Sequence, residues 1–242
     1  MSLAPDYAAF LAAKAPRPSA SGIAPSPLPS HLFDFQAHCV DFLLRQGRGG
    51  LFLGTGLGKT ACQLEWAHQA ARATNGRALI LTPLAVARQT EREAHRFGYE
   101  ARVIRDQSEA GPGISICNYD RLDRLDPAAF GAVSLDEGSI LKAFAGATTR
   151  RLIEAFRGHR FRLSATATPA PNDHMEVGQQ SEFLGQMPAS EMLMRWFIND
   201  TSKASQEWRL KRHGEADFWD WMASWSRMAD GPEDLGFDGS AF

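Results

Sequence analysis

The sequence predicts an α/β protein whose parallel β-sheet is covered by helices on both faces. The first observation behind this prediction is that short apolar runs alternate with helix-like segments between residues 31 and 185, the pattern of buried strands joined by crossover helices. The second is that 44% of the 242 residues are hydrophobic and only 22% are charged. The chain can therefore bury a large core and is neither disordered nor fibrous.

The charge and the cysteine content narrow the class of protein. Lys and Arg total 26 and Asp and Glu total 28, which gives a net charge of −2, so any contact with nucleic acid must use a local basic patch. Cys39, Cys62 and Cys117 are far apart and form no CxxC pair, which predicts reduced, buried cysteines of a cytoplasmic protein. No apolar run of about 18 residues and no signal peptide occurs, so we expect no membrane span.

Residues 1–30 are predicted to be an N-terminal arm followed by a linker. Six of the 13 prolines fall in this stretch. Pro5 to Lys14 is expected to form one short helix, and the Pro- and Ser-rich residues after it are expected to form an extended linker. A functional element in the arm is the alternative.

Residues 31–185 are predicted to form the main domain. We expect its strands at Leu51–Leu53, Ala78–Leu81, Ile114–Cys117, Ala132–Leu135 and Phe161–Leu163. Helix-like segments lie between these runs, with the clearest examples at Lys59–Thr74 and Ala85–Phe97.

Residues 186–242 have a different composition, since five of the six tryptophans fall there. These are Trp196, Trp208, Trp219, Trp221 and Trp225. Phe218, Trp221 and Trp225 recur at helical spacing. We therefore predict a small helical appendage that packs its aromatic side chains on the domain. The alternative is an aromatic surface that faces a partner.

A glycine-rich segment between the first predicted strand and the next helix is typical of a phosphate-binding loop. Residues 54–60 read GTGLGKT, and such a loop wraps backbone N–H groups around phosphates at a helix N-terminus. Lys59 would reach the β- and γ-phosphates, and the Thr60 hydroxyl would bind magnesium. The strict motif has a glycine where this chain has Leu53. The predicted nucleotide-binding residues of the loop are Thr55, Gly56, Leu57, Gly58, Lys59 and Thr60.

Two adjacent carboxylates, Asp136 and Glu137, end the predicted strand that begins at residue 132. In a phosphate-loop protein the first acid holds magnesium through water, and the second polarises the attacking water. We therefore predict Asp136 as a magnesium ligand, and Glu137 and Lys59 as catalytic residues.

Two further polar segments complete the predicted site. Ser164 and Thr166, in SATATP at 164–169, follow another apolar run and can hydrogen-bond the acid pair to couple the γ-phosphate to the rest of the molecule. A generic Ser/Thr turn is the alternative. The Gln36 amide, ahead of the loop, can both donate to and accept from the edge of adenine, although in isolation Gln36 is also an ordinary helix residue.

Together these segments resemble the first RecA-like lobe of superfamily 2 helicases. Six segments of the chain resemble the Q motif and motifs I, Ia, Ib, II and III of that lobe, in the same order. They are FQ at 35–36, GLGKT at 56–60, LTP at 81–83, NY at 118–119, LDEGS at 135–139 and SATATP at 164–169. GLGKT and NYDRL are most similar to the Snf2-type branch, and the chain as a whole resembles the DEAD/DEAH-box or Snf2-like helicases of phages and prophages.

The resemblance implies a function and a set of partners. The full enzyme would hydrolyse ATP with Mg²⁺ and move on DNA, or alternatively RNA, in the cytoplasm of a bacterium or a phage-infected host. Thr82 and Pro83 would lie near the nucleic-acid backbone, as would Asn118 and Tyr119. Gly138 departs from the Ser or Ala that often follows the acid pair, and we expect this change only to loosen the turn.

Such helicases carry a second RecA-like lobe after SATATP, which supplies arginine fingers. Only 73 residues follow Pro169, and they contain no candidate for motif V or VI. We therefore expect lobe 1 alone, without the second lobe that the active enzyme needs. A nucleotide-dependent module that binds protein or DNA without turnover is the alternative function.

Overall fold

A seven-stranded parallel β-sheet lies at the centre of the structure, a computed structural model that describes residues 19–142, 146–170, 174–200 and 207–242. The strands are β1 (Arg48–Leu53), β2 (Arg77–Thr82), β3 (Ala101–Val103), β4 (Gly113–Asn118), β5 (Ala132–Asp136), β6 (Phe161–Ala165), β7 (Phe197–Asp200), β8 (Glu207–Leu210) and β9 (Ser226–Ala229). The main sheet has the order β3-β4-β2-β5-β6-β1-β9, and β7 and β8 pair as a separate antiparallel hairpin. The helix predicted at residues 5–14 lies outside the described residues.

Helices cover both faces of this sheet. They are α1 (Asp34–Gln46), α2 (Lys59–Arg72), α3 (Ala87–Arg96), α4 (Ala147–Phe156), α5 (Val177–Leu184), α6 (Ala189–Trp196) and α7 (Glu215–Trp225). Successive strand residues point to opposite faces, so Leu51 and Leu53 join the core under α1 and α2, whereas Phe52 joins the core under α4 to α7. The predicted parallel sheet with two covered faces is confirmed. Within the described residues, each helix is too short or too polar to cross a bilayer.

The five predicted strands are all present, as β1, β2, β4, β5 and β6. The sequence does not predict β3 or β9. β9 is an edge strand of four residues, and its Arg227 and Met228 are partly exposed, so it contains no apolar run. Its position depends instead on parallel pairing with β1, in which Leu53 lies opposite Ala229.

The Trp-rich segment is more than the predicted helical appendage. It contains α6 and α7, but also the β7–β8 hairpin and β9, which extends the main sheet. Trp196, Trp221 and Trp225 are buried, and the Trp225 ring packs edge-on against Phe52 of β1 with centroids 6.0 Å apart. Of the two alternatives for the aromatic side chains, packing on the domain is therefore the one that these three residues adopt. Trp219 is only partly buried.

Residues 19–30, which the sequence predicts as an extended linker, form a strap that is hydrogen-bonded to the domain. The Ile23 amide donates to the carbonyl oxygen of Leu44, 2.8 Å away, near the C-terminal end of α1. The Ser26 amide donates to Oε1 of Gln69 on α2 at 2.7 Å, and Arg160 donates to the carbonyl of Gly22 at 2.6 Å. The strap therefore satisfies carbonyl groups that a helix end leaves unpaired.

The three cysteines are buried thiols, as predicted. Burial raises the pKa of Cys39 to about 12, and it raises the pKa of Cys62 and Cys117 as well. The thiols are therefore protonated at neutral pH and act as small apolar side chains in the core.

Candidate nucleotide-binding site

The predicted phosphate loop is a tight turn between β1 and α2. Gly56 and Gly58 have φ angles of +92° and +73°, a backbone region that glycine adopts without strain. A Cβ on Gly58 would also collide with the Gln36 amide, whereas the space above Gly56 is open. The loop is held in place by β9, since the Gly54 amide donates to the carbonyl oxygen of Ala229 at 2.8 Å.

Lys59 lies across the base of this loop. Its Nζ donates to the carbonyl oxygens of Leu53 at 2.9 Å and Gly54 at 3.1 Å. An ammonium group has three N–H donors, so one remains for a phosphate oxygen. Thr60, the next residue, is half-buried in the first turn of α2. The loop therefore places a positive charge and a hydroxyl group at a helix N-terminus, an arrangement that favours the binding of an anion such as phosphate.

The acid pair stands at the end of β5, opposite the loop. Asp136 Oδ2 accepts a hydrogen bond from the Thr82 hydroxyl at 2.8 Å. Burial raises the pKa of Asp136 above its ordinary value, and the Glu137 charge raises it further, whereas the Thr82 hydrogen bond and the charge of Lys59 act in the opposite direction. A divalent cation would favour the ionised carboxylate, so Asp136 and Thr60 fit the oxygen ligands that Mg²⁺ prefers.

Glu137 adopts a backbone conformation that is unusual for its residue type. Its φ angle is +54°, and within the described residues no other non-glycine residue has a positive φ. Such a conformation persists only where the surroundings fix it. The carbonyl groups on either side are both held: Tyr119 Oη donates to Asp136 O at 2.6 Å, and Gln180 Nε2 donates to Gly138 O at 2.7 Å. These two side chains clamp the predicted catalytic residue.

Gln180, on α5, also joins the acid pair to the SATATP segment. Its Oε1 accepts a hydrogen bond from the Ser164 hydroxyl at 2.5 Å. Ser164 therefore reaches the segment of Glu137 through Gln180 and not directly, whereas the Thr166 hydroxyl approaches Glu137 Oε2 at 3.5 Å. Sequence reasoning missed Gln180. Its sequence signal is a polar residue three positions from both Val177 and Phe183, on the buried face of a helix.

Gly138 has a different role from the one expected from sequence. A Cβ at this position would collide with the Ser164 hydroxyl. The glycine therefore leaves room for the Ser164 hydroxyl beside the turn after β5, and a larger residue would force that hydroxyl to move.

The four predicted nucleic-acid contacts do not share one surface. Thr82 is fully buried and donates to Asp136, and the buried Tyr119 donates to the carbonyl of Asp136. Asn118 is also largely buried. The Thr82 and Tyr119 hydroxyls therefore point toward the acid pair, and the nucleic-acid contacts of Thr82, Asn118 and Tyr119 stay predictions. Pro83 is the predicted contact that remains partly exposed.

One cleft of about 520 Å³ brings the loop and the acid pair together. Phe33 and Phe242 border it with ring centroids 5.2 Å apart, so aromatic surface is available to a base. Gln36 also borders the cleft, but its amide accepts from the Phe33 N–H at 3.1 Å and donates to Leu57 O at 3.1 Å. The predicted adenine contact of Gln36 stays a prediction.

Two solved structures of the SWI2/SNF2 ATPase core from Sulfolobus solfataricus are similar to this chain, one of them in complex with dsDNA. Each has a TM-score of 0.66 at 17% sequence identity and covers 88% of this chain. The chain shares the fold of part of these ATPase cores. The UvsW helicase from bacteriophage T4 is also similar, with a TM-score of 0.50 at 14% identity over 78% of this chain and 67% of its own.

The SWI2/SNF2 likeness confirms the predicted RecA-like α/β fold. The chain spans about half the length of those structures, 47% and 48%. No protein-family model and no curated protein matches the sequence. The assignment of the RecA-like fold therefore depends on the similarity to solved structures. Any inference about the chemistry depends on the residues that border the cleft.

The clamp on Glu137 gives a first testable prediction. Gln180→Leu should lower the free energy of unfolding by about 1–3 kcal/mol, because it leaves the buried Gly138 carbonyl and Ser164 hydroxyl without partners. Urea unfolding measures the change. The matched control is Gln89→Leu, which removes an exposed hydrogen bond to Glu93 on α3 and should change stability by less than about 0.5 kcal/mol. Equal effects of the two substitutions would contradict the clamp.

Proposed function

We propose that this chain is the ATP-binding motor lobe of a superfamily 2 DNA helicase or translocase. In the full enzyme, ATP hydrolysis would drive movement on nucleic acid together with a second RecA-like lobe. The observation that carries this proposal is the cleft in which the phosphate loop with Lys59 faces Asp136 and Glu137. The fold shared with part of a SWI2/SNF2 ATPase core supports it.

Different residues of the cleft would bind the phosphates and activate the attacking water. The open backbone at Gly56 and the free donor of Lys59 would hold the β- and γ-phosphates. Thr60 and Asp136 would hold Mg²⁺, which when bound neutralises charge on the phosphate oxygens. The Glu137 carboxylate would accept a proton from, or orient, the attacking water. Thr166, which directly follows β6, would couple the Glu137 carboxylate to the end of that strand.

DNA is the proposed polymer, because the similar SWI2/SNF2 core has been solved with dsDNA. Pro83 follows β2 directly after Thr82, which contacts the acid pair. A nucleic-acid backbone that touches Pro83 would therefore lie one residue from Thr82, the hydrogen-bond donor to Asp136. We propose this short connection as the route by which nucleic acid influences the cleft.

Lys59→Ala tests the nucleotide site directly. The substitution removes the positive charge at the loop, and a charge-assisted contact is worth roughly 1.5–3 kcal/mol, so the affinity for ATP with Mg²⁺ should fall about ten- to a hundredfold. Calorimetric titration of the chain measures this change.

The matched control for this substitution is Lys211→Ala. Lys211 Nζ also donates to two backbone carbonyls, those of Met194 and Arg195, but it does not border the cleft. Its replacement should leave the affinity unchanged. Equal ATP affinity of Lys59→Ala and the parent chain would refute the assignment of the phosphate loop.

A further inference from the structure

A second cavity lies at the edge of the sheet opposite the nucleotide cleft. It has a volume of about 370 Å³ and is bordered by Arg48, Arg157 and Arg162. Arg48 begins β1, whose other end leads into the phosphate loop, and it lies opposite Arg162 in the register of β1 and β6. The cavity is therefore separate from the site described above.

Arg162 has unused hydrogen-bonding capacity in this cavity. The residue is only 2% exposed, and its Nη1 donates to the carbonyl of Phe183 at 2.6 Å. Its Nε is buried and has no hydrogen-bond partner within the described part of the chain. Burial, together with the smaller effect of the Arg48 charge, lowers the pKa of Arg162 to about 10. The side chain is thus a buried cation next to a second cation.

Gly185 lets the two guanidinium groups approach each other. Its φ angle is +66°, and a Cβ on this residue would collide with Arg162 Nη2 and lie 3.1 Å from Arg48 Nη1. Within the described residues, none of the three arginines forms an ion pair. The acid that borders the cavity is Glu182, whose carboxylate accepts from the Ala189 amide at 3.1 Å. The positive charge of the cavity therefore exceeds its negative charge.

We propose that this cavity binds a phosphoryl group. Guanidinium groups present planar pairs of N–H donors that match phosphate and carboxylate oxygens. A carboxylate presents its acceptor sites in one plane, whereas the tetrahedral oxygens of a phosphate can accept from Arg48, Arg157 and Arg162 in different directions. A dianion also offsets the repulsion between Arg48 and Arg162.

Calorimetric titration with inorganic phosphate tests the proposal. Every sample carries Lys59→Ala, so that binding at the phosphate loop is weakened equally. We expect saturable binding that Arg48→Gln weakens by about tenfold or more, because a charge-assisted contact is lost. Arg157→Gln, a change at an exposed residue, should act in the same direction. Arg45→Gln removes an equal charge from the exposed face of α1 and should leave binding unchanged.

Thermal unfolding separates a ligand site from a structural role. Without phosphate, Arg48→Gln should leave the Tm unchanged or raise it, because repulsion with Arg162 is removed. Phosphate should raise the Tm of the Lys59→Ala chain but not that of the Arg48→Gln variant. A lower Tm for Arg48→Gln without phosphate, or phosphate binding that survives both Arg48→Gln and Arg157→Gln, would overturn the proposal.

A second titration identifies the source of the phosphoryl group. Thymidine 5′-monophosphate replaces inorganic phosphate under the same conditions. Tighter binding of the nucleotide supports a site for a phosphate ester, and tighter binding of inorganic phosphate supports a site for the free anion. Absence of saturable binding for both probes refutes the site.

Discussion

The 242-residue chain is expected to bind ATP but to hydrolyse it at a near-background rate, whereas the proposed two-lobed enzyme should be faster by about 10³–10⁵. The physical reason is that, among the described residues, no arginine borders the nucleotide cleft. Arg160 donates to the carbonyl of Gly22 in the strap, and Arg162 lies at the opposite edge of the sheet. An arginine finger contributes a factor of this size to phosphoryl transfer. Phosphate release with and without DNA measures the difference.

The control for this prediction is Glu137→Gln. It leaves Lys59, Thr60 and Asp136 in place, so ATP binding should persist while hydrolysis by the two-lobed enzyme is lost. DNA binding by the single lobe should be weak and should fall steeply with salt. Robust DNA-stimulated turnover by the 242-residue chain, abolished by Glu137→Gln, would contradict the prediction.

Trp221→Ala is expected to lower the free energy of unfolding by about 3–5 kcal/mol, the usual cost of truncating a buried large aromatic side chain. Trp221 is 3% exposed, and its ring lies 4.7 Å from that of Trp196 and 5.3 Å from that of Trp225, measured between centroids. Urea unfolding measures the loss. Iodide should quench the fluorescence of Trp221 and Trp225 poorly, because both rings are shielded from solvent.

Trp221→Phe is the matched substitution. The indole Nε1 of Trp221 is buried without a hydrogen-bond partner among the described residues, so phenylalanine keeps most of the packing and removes an unpaired polar group. It should therefore retain much more stability than Trp221→Ala. Free iodide quenching together with an unchanged Tm for Trp221→Ala would instead indicate a partner-facing surface.

The elements that sequence predicts well here are those with a local signal. β2 and β5 are contiguous apolar runs buried on both faces, and the phosphate loop is a contiguous motif between a strand and a helix. β9 has no such signal, because it is a short edge strand that contains Arg227 and is aligned by its pairing with β1. Its position is a tertiary property.

The same distinction applies to the candidate site. That Lys59, Asp136 and Glu137 border one cleft could be predicted, because their motifs follow each other in a fixed order. Gln180 could not, since its two hydrogen bonds depend on how α5 packs against the ends of β5 and β6. The inward direction of Thr82 also depends on the twist and register of the finished sheet.

The pairing of β9 with β1 limits the order in which the protein can fold during its synthesis. β1, which leads into the phosphate loop, lies between β6 and β9. Gly54, the first residue of the loop, donates a hydrogen bond to the carbonyl oxygen of Ala229. During synthesis, β1 therefore leaves the ribosome long before the segment that completes it. Until then β1 is an edge with unpaired backbone groups, open to other strands. Such late, long-range pairing slows folding, so we expect the nascent chain to bind nucleotide only after β9 has left the ribosome and paired with β1.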